Sequence, residues 1–127
     1  MQVTARILVV DDNRANLDLM LYLLRAFRHD AEGVSDGLAA LEAAQTGKFT
    51  LVLSDILMPG LNGYELARCL KGDTRTSSIP LIAVTALAMP NDREQIAEAG
   101  FDGYVAKPIE PRTFVATVES YLPAPKG

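Results

Sequence analysis

Five short runs containing β-branched residues, Ile7–Val10, Ala31–Val34, Leu51–Leu53, Leu81–Val84 and Tyr104–Ala106, punctuate the chain. Between and after them, apolar residues recur at helical spacing: Leu17, Met20, Leu21 and Leu24; Leu38 and Leu41 with Gln45; Gly63, Leu66, Ala67 and Leu70; Phe114, Val118 and Tyr121. A switch from strand-like runs to a period near 3.6 predicts strands alternating with helices. The fourth helix, Asn91 to Ala99, is weaker, with only Ile96, Ala97 and Ala99 on its apolar side. Asn91 and Glu94 form a candidate capping pair for it, and Gly100 suits a left-handed end.

The first, third and fourth strands are almost wholly apolar, as expected where helices cover both faces of a parallel sheet, and the second and fifth read as flanking strands. Five βα units in 127 residues are too few for an eight-fold barrel. An α/β fold with an open, doubly wound parallel sheet and five helices is the economical solution. The chain reads as one domain over 1–127 with a core over about 5–122. Its last residues, Pro123–Gly127, cannot continue the fifth helix because proline lacks the donor. They are either a free end or the stub of a linker.

Composition narrows the function classes. Apolar residues make up 49% and charged residues 22%, which suits a folded globular chain rather than a disordered one. No run approaches the ~18 apolar residues of a membrane span, and the start lacks the basic-then-apolar build of a secretory signal, so a cytoplasmic location is expected. A net charge of -4 has the wrong sign for a domain that gains affinity by neutralising nucleic-acid phosphates. The single cysteine, Cys69, rules out an internal disulfide and a cysteine-built metal site, and is expected to fill the core. His29, alone at the turn before the second strand, receives no catalytic role. Tyr22 and Phe27 are read as core or flank.

In open parallel sheets ligands gather beyond the carboxyl ends of the strands. Asp11 and Asp12 follow the first strand, Asp55 the third, Thr85 the fourth, and Lys107 with Pro108 the fifth. Each alone could serve a cap, a turn or a solvated surface. Right-handed crossovers, however, bring these exits to one edge of the sheet. Three close carboxylates repel by roughly 4 kcal/mol per pair at an effective dielectric near 20, so cations must relieve them. Lys107 supplies one charge; a hard divalent ion with oxygen ligands, Mg²⁺ before zinc or copper, supplies the rest. A carboxylate beside Mg²⁺, an amine and a hydroxyl is an arrangement for making an aspartyl phosphate, with Asp55 as nucleophile.

At this point the chain resembles the receiver domains of two-component response regulators. The motifs are Val9-Val-Asp-Asp-Asn13, Asp55-Ile-Leu-Met-Pro-Gly-Leu-Asn-Gly63, Val84-Thr-Ala86 and Lys107-Pro108, in that family's order and approximate spacing. The resemblance implies the strand order 2-1-3-4-5. It also implies that Asp55 accepts phosphate from a histidine kinase or phosphotransfer protein. Asp12, Asp55 and the backbone carbonyl of Leu57 would ligate Mg²⁺, with Asp11 acting mainly through water. Thr85 and Lys107 would meet the phosphoryl oxygens. Tyr104, three positions before Lys107, stands where the family has an aromatic switch residue. If phosphate draws the Thr85 hydroxyl, Tyr104 can turn inward and change the surface of helix four, strand five and helix five. A cis peptide is expected at Lys107–Pro108. Pro59 fixes the turn after Asp55, and Gly63 opens the third helix.

The apolar residues Leu57 and Leu87, at positions where fast-hydrolysing members carry a polar group, imply slow loss of phosphate. The apolar loop Ala86-Leu-Ala-Met-Pro90 is either a partner surface or packing over Tyr104. The reading is a phosphorylatable switch rather than an enzyme with an external substrate. Its output is a downstream protein target, with no direct nucleic acid or membrane contact, as a monomer or a phosphorylation-dependent dimer. It resembles a stand-alone receiver, though one cut from a hybrid kinase or multidomain regulator would look the same. A phosphate-independent adaptor would usually have lost an acidic, threonine or lysine position. A phosphohydrolase would need a second acid and a substrate cap.

Overall fold

The computed structural model describes residues 5–86 and 89–122. Five strands, β1 (Arg6–Val10), β2 (Asp30–Val34), β3 (Leu51–Asp55), β4 (Leu81–Thr85) and β5 (Gly103–Ala106), alternate with five helices. The helices are α1 (Arg14–Ala26), α2 (Gly37–Thr46), α3 (Gly63–Lys71), α4 (Pro90–Ala99) and α5 (Pro111–Glu119). All neighbouring strands pair in parallel, in the order β2-β1-β3-β4-β5. The chain therefore winds outward from β1 in both directions, and β3 and β4 are buried along their whole length.

Alternation along the strands divides the core. Ile7, Val9, Leu51 and Leu53 face α1 and α5, where they meet Leu17, Met20, Leu24, Phe114, Val115 and Val118. Leu8, Val10 and Val52 face the other side, against Ala40 and Ala44 of α2, Leu66 and Leu70 of α3, and Ile96 and Ala99 of α4. Side chains on successive strand residues point to opposite faces, so an apolar strand needs helices on both sides.

The helix ends follow local chemistry. Asn13 caps α1 by accepting from the Asn16 N–H at 3.0 Å. A reciprocal pair opens α3: Asn62 accepts from the Glu65 N–H at 3.0 Å, and Glu65 accepts from the Asn62 N–H at 3.1 Å. Proline at the first position of α4 and of α5 lacks only a donor that would be unpaired anyway.

Several sequence expectations are corrected. Helix α4 begins at Pro90, so Asn91 lies inside it. The Asp92 carboxylate, rather than Glu94, reaches back to accept from the Met89 N–H at 3.3 Å. Ala97 is exposed, although Gly100 does end the helix, at φ 111°. The buried face of α2 is Gly37, Ala40 and Ala44, while Leu38 is 68% exposed. Small residues let α2 lie close to the loop carrying Leu61. Cys69 is exposed, because Leu66, Ala67 and Leu70 fill the inward stripe of α3. Tyr22 and Phe27 are exposed as well. His29 is buried and partnered: its Nδ1 accepts from the Ala5 N–H at 3.3 Å and its Nε2 lies 2.8 Å from Glu119. The Pro123–Gly127 tail, and Leu87 and Ala88 of the apolar loop, lie outside the described residues. No described helix is long and apolar enough to cross a membrane.

Candidate functional site

The topology delivers the predicted residues to one edge. Asp11 and Asp12 leave β1, Asp55 is the last residue of β3, Thr85 the last of β4, and Lys107 follows β5 directly. Backbone hydrogen bonds fix these exits to one another. The Asp11 N–H donates to Val34 at 3.2 Å and the Lys107 N–H to Thr85 at 2.9 Å. The peptide between Lys107 and Pro108 is cis, as expected.

Lys107 Nζ sits 3.1 Å from Asp11 Oδ2 and 3.2 Å from Asp55 Oδ2. Asp11 is wholly buried and its second oxygen accepts from the Asn13 N–H at 2.8 Å. Its carboxylate is thus turned by a backbone donor on one side and by the ammonium on the other. Asp12 is exposed. Asp11, Asp12 and Asp55 each offer a carboxylate oxygen, all within 4.8 Å of one another. One lysine cannot balance three such charges. An all-oxygen set of this kind, part buried and part open to solvent, fits a hard divalent cation.

The electrostatics agree with a site short of positive charge. Burial pushes the Asp55 carboxyl above its ordinary pKa; Lys107 opposes this and the Asp11 charge adds to it. For Lys107, burial works against the ammonium, but its contacts with Asp11 and Asp55 outweigh burial and hold its pKa above the ordinary value. A further cation among the carboxylates would oppose the upward push that burial and the Asp11 charge exert on Asp55.

The ground beneath Asp55 is rigid. The buried Ser54 hydroxyl donates to the Asp55 carbonyl at 2.9 Å. The N–H of Gly63 donates to Ile56 at 2.9 Å. A Cβ at position 63 would collide with the Asp55 carbonyl oxygen and lie 2.7 Å from Ile56 Cα. Gly63 is what lets α3 start directly below the acid. Across the mouth of the site the chain after Asp55 turns outward: Leu57 is 64% exposed, Met58 is buried, and Gly60 takes φ 73° after Pro59.

Thr85 is buried. Tyr104 is half-buried on β5, and the Arg93 guanidinium of α4 stands 5.2 Å from its ring centroid. Sequence reasoning missed Asn13 as the residue that both caps α1 and orients Asp11, although an Asn just before a helical run is a capping signal. It also missed the Arg93 contact, which no local pattern announces because it spans α4 and β5.

Known proteins fit this geometry. The family model described as response regulator receiver domain matches residues 7–119. The polar-differentiation response regulator DivK of Brucella ovis is 38% identical over 120 residues, covering 94% of this chain and 98% of DivK. The chemotaxis response regulator CheY4 of Vibrio cholerae superposes with a TM-score of 0.90 at 26% identity, over 94% of this chain and all of that one. The receiver domain of a sensor histidine kinase from Pseudomonas aeruginosa, with magnesium coordinated in its active site cleft, gives a TM-score of 0.85 at 29% identity, over 94% and 98% of the two chains. With a family match running nearly end to end and relatives covered over almost their whole length, this chain belongs to the response regulator receiver domain family of two-component signalling.

Proposed function

We propose that Asp55 is the phosphoacceptor of a phosphorelay switch. The carrying observation is that Asp55 Oδ2 lies 3.2 Å from Lys107 within a cluster completed by Asp11 and Asp12. A phosphohistidine on a histidine kinase or phosphotransfer protein is the donor. Its N–P bond breaks as an oxygen of Asp55 bonds to phosphorus, and the imidazole leaves with a proton. Lys107 neutralises a phosphoryl oxygen, and the buried Thr85 hydroxyl is placed at the adjacent strand end to donate to another. Asp11, Asp12 and Asp55, with the Leu57 carbonyl, would hold Mg²⁺, which when bound supplies the second cation that phosphoryl oxygens need.

Phosphate drawing Thr85 toward the site would free space for Tyr104 and alter the α4, β5 and α5 surface for a downstream protein target. Leu57 is apolar and outward, so it cannot orient a water for attack on the acyl phosphate. Slow hydrolysis follows, and the chain catalyses only its own phosphorylation and that slow reversal. In this reading it works in the cytoplasm, as a monomer or a phosphorylation-dependent dimer, without direct contact with nucleic acid or membrane.

The test is intact-protein mass after incubation with acetyl phosphate and Mg²⁺, beside Asp55→Asn and a chelated sample. One added hydroxylamine-labile phosphoryl group, missing from both controls, is expected. Its absence from folded wild type, with the cognate class of donor also failing, would overturn the assignment.

A further inference from the structure

Helix α2 begins against the loop that follows Asp55. Its first residue, Gly37, is buried, and the backbone of Leu61 lies directly on it. A Cβ at position 37 would collide with the Leu61 carbonyl oxygen and come within 2.9 Å of Leu61 Cβ and 3.1 Å of the Leu61 carbonyl carbon. None of these three atoms can be swung away by a change of rotamer. The absence of a side chain is what lets α2 and the loop meet.

That loop, residues 56–62, is the stretch between Asp55 and the start of α3. Ile56 and Met58 are buried in the core cluster that holds Ala40 and Ala44 of α2, and Leu61 packs against the same cluster. Leu57, whose carbonyl is the one backbone donor in the proposed Mg²⁺ set, stands between the two buried residues. The Gly63 N–H closes the loop onto the Ile56 carbonyl at 2.9 Å. The loop is thus pinned at its base and at Met58, and it bears on α2 at Leu61.

The two sides of this contact differ in how easily they give. Ala40 and Ala44, at 0% and 2% exposed, seat α2 on the sheet. Its ends are tied by Asp36, which accepts from the Ala39 N–H at 2.8 Å, and by Gln45, which donates to Asp73 at 3.4 Å. In the loop, Leu57, Pro59 and Gly60 are exposed, and a Cβ at Gly60 would meet nothing within 4 Å. Extra volume between a close-packed element and a looser one displaces the looser one.

We infer that Gly37 is a positioning residue for metal binding: its bare Cα sets where the 56–62 loop, and with it the Leu57 carbonyl, stands beside Asp55. This inference rests on the proposed Mg²⁺ set and adds the element that holds it from outside. Contacts that orient metal ligands are worth about 10- to 100-fold in metal affinity. Gly47, at the other end of α2, is the matched control. A Cβ there would lie 2.6 Å from Phe49 Cε2 and 2.9 Å from the Ala43 carbonyl oxygen, as tight a fit, but against residues that are not in the loop.

The test is Mg²⁺ titration followed by amide NMR, with urea unfolding in chelator as the measure of stability. Gly37→Ala is expected to weaken Mg²⁺ binding about tenfold. Gly47→Ala is expected to lose stability and yet bind Mg²⁺ like wild type. Wild-type affinity in Gly37→Ala, or an equal weakening in Gly47→Ala, would overturn the inference while leaving the metal set intact. Should Gly37→Ala not fold, the wild-type titration decides: a Gly37 amide signal that shifts in step with those of the loop supports the inference, and one unmoved at saturation overturns it. Wild type that binds no Mg²⁺ would overturn the metal set itself, a separate result.

Discussion

Lys107 and Asp11 form an ion pair of 3.1 Å in which the carboxylate is wholly buried and the lysine side chain is only 17% exposed. The Asp11 carboxylate cannot fall back on water if the ammonium is removed. Replacing Lys107 with Met leaves Asp11 as an uncompensated buried charge and lets the Asp55 pKa rise further, since Lys107 now lowers it. Breaking a buried pair in this way costs about 3–5 kcal/mol. Urea unfolding of Lys107→Met should show a loss of that order in chelator. Added Mg²⁺ should restore part of it, because a cation among the acids does some of the missing ammonium's work. A loss indifferent to Mg²⁺ would mean that the carboxylates do not share a cation site.

Gly63 answers to the same site from below. A methyl group there would meet the Asp55 carbonyl oxygen and the Ile56 backbone, neither of which can rotate away as a flexible side chain could. Gly63→Ala should therefore push α3 off the end of β3 and destabilise by about 1–3 kcal/mol, the usual range for overpacking. Since the displaced backbone carries Asp55, phosphoryl uptake from acetyl phosphate should slow in the fraction that remains folded. Normal uptake together with normal stability would show that the helix start has slack.

How far this was legible in the sequence depends on the range of the signal. The strands and the acidic, threonine and lysine exits could be read because each is a local pattern and one chirality rule gathers the exits. The structure brings Asp11, Asp12, Asp55 and Lys107 together as that rule implies. The errors came from choosing among helix faces. Leu38 fitted a stripe by its apolarity, yet α2 buries Gly37, Ala40 and Ala44, because a helix packed closely against the Leu61 loop needs small residues. Cys69 lost its inward place to the Leu66 and Leu70 face. His29 seemed solitary because its partner, Glu119, lies at the far end of the chain. Contacts of that kind are set by the assembled tertiary structure.

Asp73 offers a pH test away from the site. Arg75 holds its carboxylate through Nη2 at 2.7 Å, Nε at 3.1 and 3.2 Å, and its backbone N–H at 2.9 Å. Those hydrogen bonds, the side-chain ones first, lower the Asp73 pKa from 3.8 to about 2. A carboxyl whose folded pKa is depressed adds stability above its unfolded pKa and loses it as pH falls through the folded value. Carboxyl NMR should find Asp73 titrating near 2 in wild type and shifted upward in Arg75→Ala, though still held below the ordinary carboxylate value by the residue-75 backbone N–H and by Gln45, which the substitution leaves in place. The stability difference between the two should narrow between pH 3.8 and about 2. A difference constant across that window would rule Asp73 out as its source.

Two helix ends make a paired prediction of opposite sign. Helix α1 closes with the Arg28 N–H donating to Arg25 at 3.0 Å and the His29 N–H to Leu24 at 3.1 Å, a bonding pattern that requires a left-handed residue between. That residue is Arg28, exposed and at φ 68°. An L-residue in this region costs about 1–2 kcal/mol, while glycine gives back roughly 0.5–1 kcal/mol through the greater freedom of its unfolded chain. Arg28→Gly should thus stabilise by roughly 0.5–1 kcal/mol. Helix α4 closes the same way but already carries the residue its geometry favours, Gly100 at φ 111°. A Cβ there would also come within 2.8 Å of Lys71 Cγ, disturbing a side chain whose ammonium holds the Ile79 carbonyl and the Asp102 carboxylate at 3.1 Å each. Gly100→Ala should accordingly cost about 1–3 kcal/mol in the same urea titration. If both substitutions moved stability the same way, backbone strain would not be the governing term at these two ends.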